Sequence, residues 1–106
     1  SQEDMFFIPK SWIKGGNKRF ILKVQGNSMI NAKINDGDYV IIEQNNSPNN
    51  GDIVAVNIEG SATLKRIKID KDKIVLMPEN EKYKPIVLRE DSEFYILGKA
   101  IGVISA

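Results

Sequence analysis

Seven short apolar runs, separated by turn residues, dominate the chain after its first nineteen residues. The runs are rich in Val and Ile, and the segments between them (NDGD, NNSPNNGD, EG and DKD) favour tight turns. No stretch has the 3.6-residue periodicity of a long helix. The pattern predicts an all-β fold, a single compact domain of short, mostly antiparallel strands in a barrel-like pair of sheets. The runs are FILKV (20–24), YVIIE (39–43), DIVAVNI (52–58), ATLKRIKI (62–69), KIVLM (73–77), PIVL (85–88) and FYILGKAIGVI (94–104).

The residues before these runs have a different character. Pro9, Gly15 and Gly16 interrupt them, and PKSWIK predicts a short helical turn that begins near Pro9. We therefore divide the chain into an N-terminal arm, residues 1–19, and a domain, residues 20–106.

Two missing residue types narrow the chemistry. The chain has no cysteine and no histidine. Without cysteine there are no disulfides, no thiolate zinc sites and no cysteine nucleophile. Without histidine there is no Ser-His-Asp triad, and nearly every catalytic zinc site is excluded. Nucleophilic catalysis would therefore need a serine or threonine activated by a lysine or a carboxylate.

Charge and hydropathy bear on partners and compartment. The net charge of +1 is too balanced for an electrostatic nucleic-acid binder, so we expect no direct DNA contact by this segment. No apolar run approaches the roughly 20 residues of a membrane span, and the N-terminus lacks the layout of a signal peptide. We expect a cytoplasmic protein without membrane attachment.

One serine lies between two apolar runs, in KVQGNSMINAKINDGDYVII. Ser28 follows a glycine by two residues and precedes a methionine. Either Ser28 caps an ordinary turn, or it is a nucleophile that needs a base elsewhere in the chain.

One lysine lies on the apolar face of a predicted strand. Side chains alternate between the two faces of a strand, so Lys65 shares its face with Thr63, Ile67 and Ile69, whereas Arg66 and Lys68 lie on the more polar face. A buried, unpaired ammonium is costly, and burial can lower the pKa of a lysine by several units. Lys65 is therefore either a neutral amine that can act as a general base or a side chain that reaches the surface along its aliphatic stem.

Three carboxylates next to the turn glycines have a simpler explanation. Asp36, Asp38 and Asp52 belong to turns that lead into apolar runs, and no further oxygen ligands follow at the spacing of a calcium loop. We expect them to be structural, and the loop at 45–50 to be a solvated connection.

Six blocks in order carry a family resemblance. VQGNSM, INDGDYVII, NGDIVAV, GSATLKRI, VLMPENEKYKPI and ILGKAIGVI resemble the C-terminal domain of LexA-type repressors and their relatives, the self-cleaving Ser-Lys peptidases. The resemblance covers the chain from about Phe20 to Ile104. Each block is a weak signal alone, whereas the ordered set is highly specific.

The resemblance implies a catalytic site. Ser28 resembles the nucleophile and Lys65 the general base, and the backbone N–H groups of Asn27 and Ser28 would form the oxyanion hole. Neither a cofactor nor a metal is implied. Members of the family cut their own chain at an Ala-Gly bond when a filament of RecA on single-stranded DNA acts as co-protease.

The resemblance also implies partners and missing segments. The C-terminal strand, from about Lys99 to Ile104, resembles the edge through which the family forms homodimers. The chain contains no Ala-Gly dipeptide, so we expect the scissile bond, and a DNA-binding helix-turn-helix, to lie upstream of Ser1. Residues 1–19 would then be a remnant of the linker around the cleavage region.

Two other readings stay open at this point. The chain could instead belong to a UmuD-like polymerase accessory protein or to a phage repressor, which share the peptidase. It could also be a non-catalytic β-module for dimerisation, with Ser28 a turn residue and Lys65 at the surface.

Overall fold

The computed structural model describes residues 17–106, and it confirms the all-β expectation. Most of the expected N-terminal arm, including the PKSWIK turn, lies outside the described residues. Each predicted run overlaps one strand, with ends within one residue. Within this range no helix is long and apolar enough to cross a bilayer. The elements are β1 (Arg19–Lys23), a 3-10 turn (Ile30–Ala32), β2 (Tyr39–Glu43), β3 (Ile53–Ile58), β4 (Ser61–Asp70), β5 (Lys73–Met77), β6 (Ile86–Leu88) and β7 (Phe94–Ile104).

The strands form one open antiparallel sheet in the order β1-β2-β7-β3-β4-β5-β6. The last strand lies in the middle, where residues 94–99 pair with β3 and residues 99–104 pair with β2. Register shifts occur between Ile41 and Ile42 in β2 and between Ala55 and Val56 in β3, next to the place where β7 changes partner. Such bulges bend a sheet, which allows it to enclose two hydrophobic clusters.

The two clusters lie on opposite faces of the central strands. In β3, Ala55 belongs to the first cluster while Val54 and Val56 belong to the second; in β4, Leu64 belongs to the first and Ile67 to the second. The middle of β4 is therefore buried on both faces, so the face that also carries Arg66 and Lys68 is less polar than the sequence indicates. The first cluster consists of Val24, Met29, Ile34, Val40, Ile42, Ala55 and Leu64, and the second of Val54, Val56, Ile67 and Leu76.

Two turns with the same geometry precede β2 and β3. The carboxylate of Asp38 accepts a hydrogen bond from the N–H of Asn35 at 2.8 Å, and the carboxylate of Asp52 accepts one from the N–H of Asn49 at 2.9 Å. Asp36 likewise accepts the N–H of Gly26 at 2.7 Å. The expectation that these carboxylates are structural is confirmed, since each one satisfies a backbone donor of a turn.

Candidate active site

Ser28 lies in a turn between β1 and the 3-10 turn, and both sides of that turn are fixed. On one side Gly26 has a φ of 86°, a conformation that glycine adopts without strain, and its N–H donates to the Asp36 carboxylate at 2.7 Å. On the other side Met29 is only 2% exposed and packs in the first cluster. The turn therefore has an anchored side chain directly after Ser28, while Ser28 itself is half-buried.

Lys65 is buried and its amine reaches the hydroxyl of Ser28. The residue is 7% exposed, and its Nζ lies 3.2 Å from Ser28 Oγ. The same Nζ lies 3.0 Å from Thr63 Oγ1 and 2.9 Å from the carbonyl oxygen of Leu64. Of the two alternatives for Lys65, the one in which its amine reaches the surface is wrong. The face parity of β4 correctly indicated that this lysine points inward.

The three contacts of the Lys65 amine can be made by either of its protonation states. A neutral amine has two N–H donors and one lone pair, and it can donate to the Leu64 carbonyl and to Thr63 Oγ1. The lone pair can then accept the hydroxyl proton of Ser28. An ammonium would instead donate to all three oxygens, none of which is a carboxylate.

Burial lowers the pKa of Lys65 below its ordinary value of 10.5, because the charged form loses its hydration. Among residues 17–106, Lys65 forms no ion pair with a carboxylate that would oppose this effect. The site therefore holds a larger fraction of free amine at a given pH than an exposed lysine would.

A second segment, residues 78–80, supports the turn from behind. The N–H of Glu79 donates to the Ser28 carbonyl at 2.8 Å, and the Glu79 carbonyl accepts the N–H of Asn31 at 2.8 Å. The Asn80 side chain donates from Nδ2 to the Asn27 carbonyl at 2.8 Å. Three hydrogen bonds, at Asn27, Ser28 and Asn31, therefore join the turn that carries Ser28 and the 3-10 turn after it to a segment about fifty residues away in the sequence.

Sequence reasoning missed Thr63 and Asn80. Thr63 lies on the same face of β4 as Lys65, two residues away, so strand alternation alone places its hydroxyl near the amine. Asn80 lies in PENEKY, after the end of β5, where no periodicity applies and nothing in the sequence indicates a partner near Ser28.

The backbone N–H groups of Asn27 and Ser28 are the expected oxyanion donors. No acceptor among residues 17–106 meets the backbone N–H of Asn27 or of Ser28. Their assignment as an oxyanion hole stays a prediction.

A cavity of about 150 Å³ opens beside Ser28. It is lined by the end of β1 with the residues that follow it, 22–25, by Ser28 and Met29, and by the beginning of β4, residues 62–64. Within the described part of the chain β1 pairs only with β2, and β4 pairs with β5 only from Arg66 onward. Two strand segments, each with one edge that pairs with no other strand within residues 17–106, therefore line the cavity.

Comparison with known proteins gives a consistent result. The profile of the Peptidase S24-like family matches residues 1–101. A LexA repressor from Clostridium perfringens (strain SM101) is 51% identical over 104 residues, which cover 98% of this chain and 50% of that protein. A LexA repressor from Geobacillus thermodenitrificans is 51% identical over 102 residues, covering 95% and 48% respectively. The chain thus spans about half the length of the relatives it matches.

Proposed function

The chain belongs to the Peptidase S24-like family, and on that premise we propose that it is the self-cleaving serine peptidase and dimerisation domain of a LexA-like repressor of the SOS response. One observation carries the proposal: a buried lysine without a carboxylate partner among the described residues has its amine 3.2 Å from the hydroxyl of Ser28. This contact gives a weak nucleophile an adjacent base, which is what covalent catalysis by serine requires.

In the proposed reaction Lys65 acts first as base and then as acid in each of two steps, acylation and deacylation. Ser28 Oγ attacks the carbonyl carbon of the scissile peptide bond while its proton passes to Lys65 Nζ. The N–H groups of Asn27 and Ser28 stabilise the oxyanion of the tetrahedral intermediate. The carbon–nitrogen bond then breaks, and Lys65 donates the proton to the leaving amine. Lys65 next takes a proton from a water molecule, which attacks the acyl-enzyme, and it returns that proton to Ser28 Oγ as the bond between the acyl carbon and this oxygen breaks.

The proposed substrate is an extended segment of the same polypeptide, upstream of this chain, with an Ala-Gly bond at the point of cleavage. Unpaired strand edges bind extended peptides through backbone hydrogen bonds. On the β1 side and on the β4 side, the cavity is lined by segments with an edge that no other described strand pairs with. The small cavity favours small side chains beside Ser28. In the proposed cycle, a RecA filament on single-stranded DNA stabilises the conformation in which this segment occupies the cavity.

The proposed contact with DNA involves a part of the protein outside this domain. The relatives named above are repressors of about twice this length, and the net charge of +1 gives this domain little electrostatic attraction for DNA. We propose that DNA is bound by a helix-turn-helix domain upstream.

Residues of the C-terminal strand support the proposed homodimer. Residues 100–104 pair with β2 on one side, while β3 pairs with β7 only as far as Lys99. The other edge of this half-strand lines a groove of about 390 Å³. Val103 lines the same groove and is 38% exposed. Antiparallel pairing of two such edges would extend the sheet across the dimer axis.

Val103→Glu is expected to convert the dimer into a monomer, because it places a charge in the proposed interface. Sedimentation equilibrium measures the change. Val87→Glu is the matched control, since Val87 is 45% exposed on β6 at the far end of the sheet, and it should leave the dimer intact. Dissociation of both variants, or of neither, would contradict the proposed interface.

A serine-reactive fluorophosphonate tests the proposed nucleophile on this chain directly. The reagent forms a Ser–O–P bond and releases fluoride, while the base takes the hydroxyl proton. We expect a single adduct on Ser28 by peptide mass spectrometry, and no adduct in Ser28→Ala. Ser47, an exposed serine in a loop, is the internal control. Equal labelling of Ser28 and Ser47, or no labelling of Ser28, would favour the non-catalytic module instead.

A further inference from the structure

We propose that Asn80 is a positioning residue for the oxyanion hole: its side-chain amide holds the Asn27–Ser28 peptide so that the Ser28 N–H is presented to the oxygen of the reacting carbonyl. The inference rests on the proposed peptidase function. It adds a residue that touches neither the substrate nor the Ser28–Lys65 pair, and it explains why a polar side chain is buried behind the turn.

The environment of Asn80 fixes its orientation. The residue is 6% exposed, and both ends of its side-chain amide are used. Nδ2 donates to the Asn27 carbonyl at 2.8 Å, and Oδ1 accepts the N–H of Lys82 at 2.9 Å. Its backbone carbonyl accepts the N–H of Tyr83 at 3.0 Å. The amide can neither turn over nor move away without breaking one of these hydrogen bonds.

Peptide planarity transmits this constraint to Ser28. The C=O and N–H of a trans peptide point in opposite directions in one plane, and the described part of the chain has no cis peptide. Because Asn80 holds the Asn27 carbonyl, the N–H of Ser28 points away from Asn80. Asn80 does not line the cavity, whereas Ser28 does, as expected if this N–H is directed to the side on which a substrate would bind.

Two further observations agree with this role. The Ser28 carbonyl is held by the neighbouring N–H of Glu79 at 2.8 Å, so residues 79 and 80 hold two consecutive peptide groups. The N–H of Ser28 has no acceptor among the described residues. A backbone donor that is held in place but left without an acceptor is the arrangement that an oxyanion hole requires.

Loss of the Asn80 side-chain amide should weaken the stabilisation of the transition state and leave the Ser28–Lys65 contact unchanged. In Asn80→Ala the Asn27 carbonyl loses its buried donor, and the peptide rotates to find another, which turns the Ser28 N–H away. The Ser28–Lys65 contact does not pass through this peptide group. We therefore expect the maximal rate of reaction at Ser28 to fall, whereas the pKa of Lys65 should not change.

The test follows fluorophosphonate labelling of Ser28 across pH, with the reagent concentration varied to separate its binding constant from the maximal labelling rate. For Asn80→Ala we expect the maximal rate to fall about 100-fold, the loss typical of one oxyanion donor. The binding constant and the pH midpoint should stay as in the unmodified chain. Asn31→Ala is the matched control, because Asn31 donates to Glu81 at 3.1 Å, at the surface of the same two segments. It should leave all three quantities unchanged.

Asn80→Asp keeps the shape of the side chain but replaces the donor by an acceptor, so it should be as slow as Asn80→Ala. Asn80→Asp also replaces Asn80→Ala in the test if the denaturation curve shows that Asn80→Ala is unfolded at the assay temperature. A folded variant with an unchanged maximal rate would overturn the proposal, as would a fall that is accompanied by a shifted pH midpoint. Labelling of a folded Ser28→Ala at the unmodified rate would instead contradict the peptidase function itself.

Discussion

Lys65→Met is expected to abolish self-cleavage of the longer protein and, at neutral pH, to make this domain more stable. Cleavage should fall on the order of 10³-fold or more, as for the loss of one member of a nucleophile–base pair. The stability gain has a separate cause. Methionine fills the same space without a group that must lose its hydration, and replacing buried charge by an apolar side chain is often stabilising, here by about 1 kcal/mol.

The pH dependence of that gain follows from the lowered pKa of Lys65. The unfolded lysine titrates near 10.5 and the folded one below it, so between the two values the unfolded state binds more protons. The stability of the unmodified domain therefore rises with pH in this window. The advantage of Lys65→Met should be largest below the folded pKa and should shrink as the pH approaches 10.5.

Urea denaturation at neutral and alkaline pH measures this difference, and gel analysis of the longer protein measures cleavage. Lys68→Met, on the exposed part of the same strand, is the control and should change neither quantity appreciably. Substantial cleavage by Lys65→Met, or a stability loss at neutral pH, would contradict the assignment of Lys65 as a buried base.

Gly98→Ala is expected to destabilise the fold by about 3 kcal/mol, at the upper end for an overpacked core position. A Cβ on this glycine would lie 2.3 Å from the Glu43 carbonyl oxygen and 2.6 Å from Ile42 Cγ2. The first of these atoms is backbone and cannot rotate away. Gly98 therefore permits the close approach of β2 to β7, at the place where β7 changes partner.

Gly60→Ala separates this packing effect from a backbone effect. Gly60 has a φ of 88°, but a Cβ there meets no atom within 4 Å. The free energy of unfolding of Gly60→Ala should therefore fall by about 1 kcal/mol, which is the cost of a left-handed conformation for a residue with a Cβ. Denaturation midpoints of the two variants give the comparison. An equal loss in both would show that contact with β2 does not determine the cost at Gly98.

The strands were predictable from sequence because the Val- and Ile-rich runs and the turn residues agree with one another. The position of β7 between β2 and β3 was not, since it depends on pairings between residues far apart in the chain. The burial of Leu64 opposite Lys65 was missed for a related reason. The alternation of side chains assigns each residue to one face of a strand, but it does not show that both faces of β4 are buried.

The candidate site, like the fold, could be predicted from the sequence only in part. Ser28 and Lys65 could be selected from the absence of histidine and cysteine, from strand parity and from the family resemblance. Their contact at 3.2 Å depends on the fold, which brings together residues 37 positions apart. Asn80 could not be selected, because its role depends on the direction of one peptide group, and no sequence pattern encodes that direction.

The central claim is that Lys65, as a free amine, takes the proton of Ser28. Its most direct test compares two midpoints in the same longer protein: the pKa of Lys65, from the ¹³Cε chemical shift, and the pH midpoint of the self-cleavage rate. We expect the cleavage rate to rise with pH to a plateau and both midpoints to coincide below 10.5. A Lys65 that titrates at the ordinary lysine value, or a rate midpoint that differs from its pKa, would contradict it.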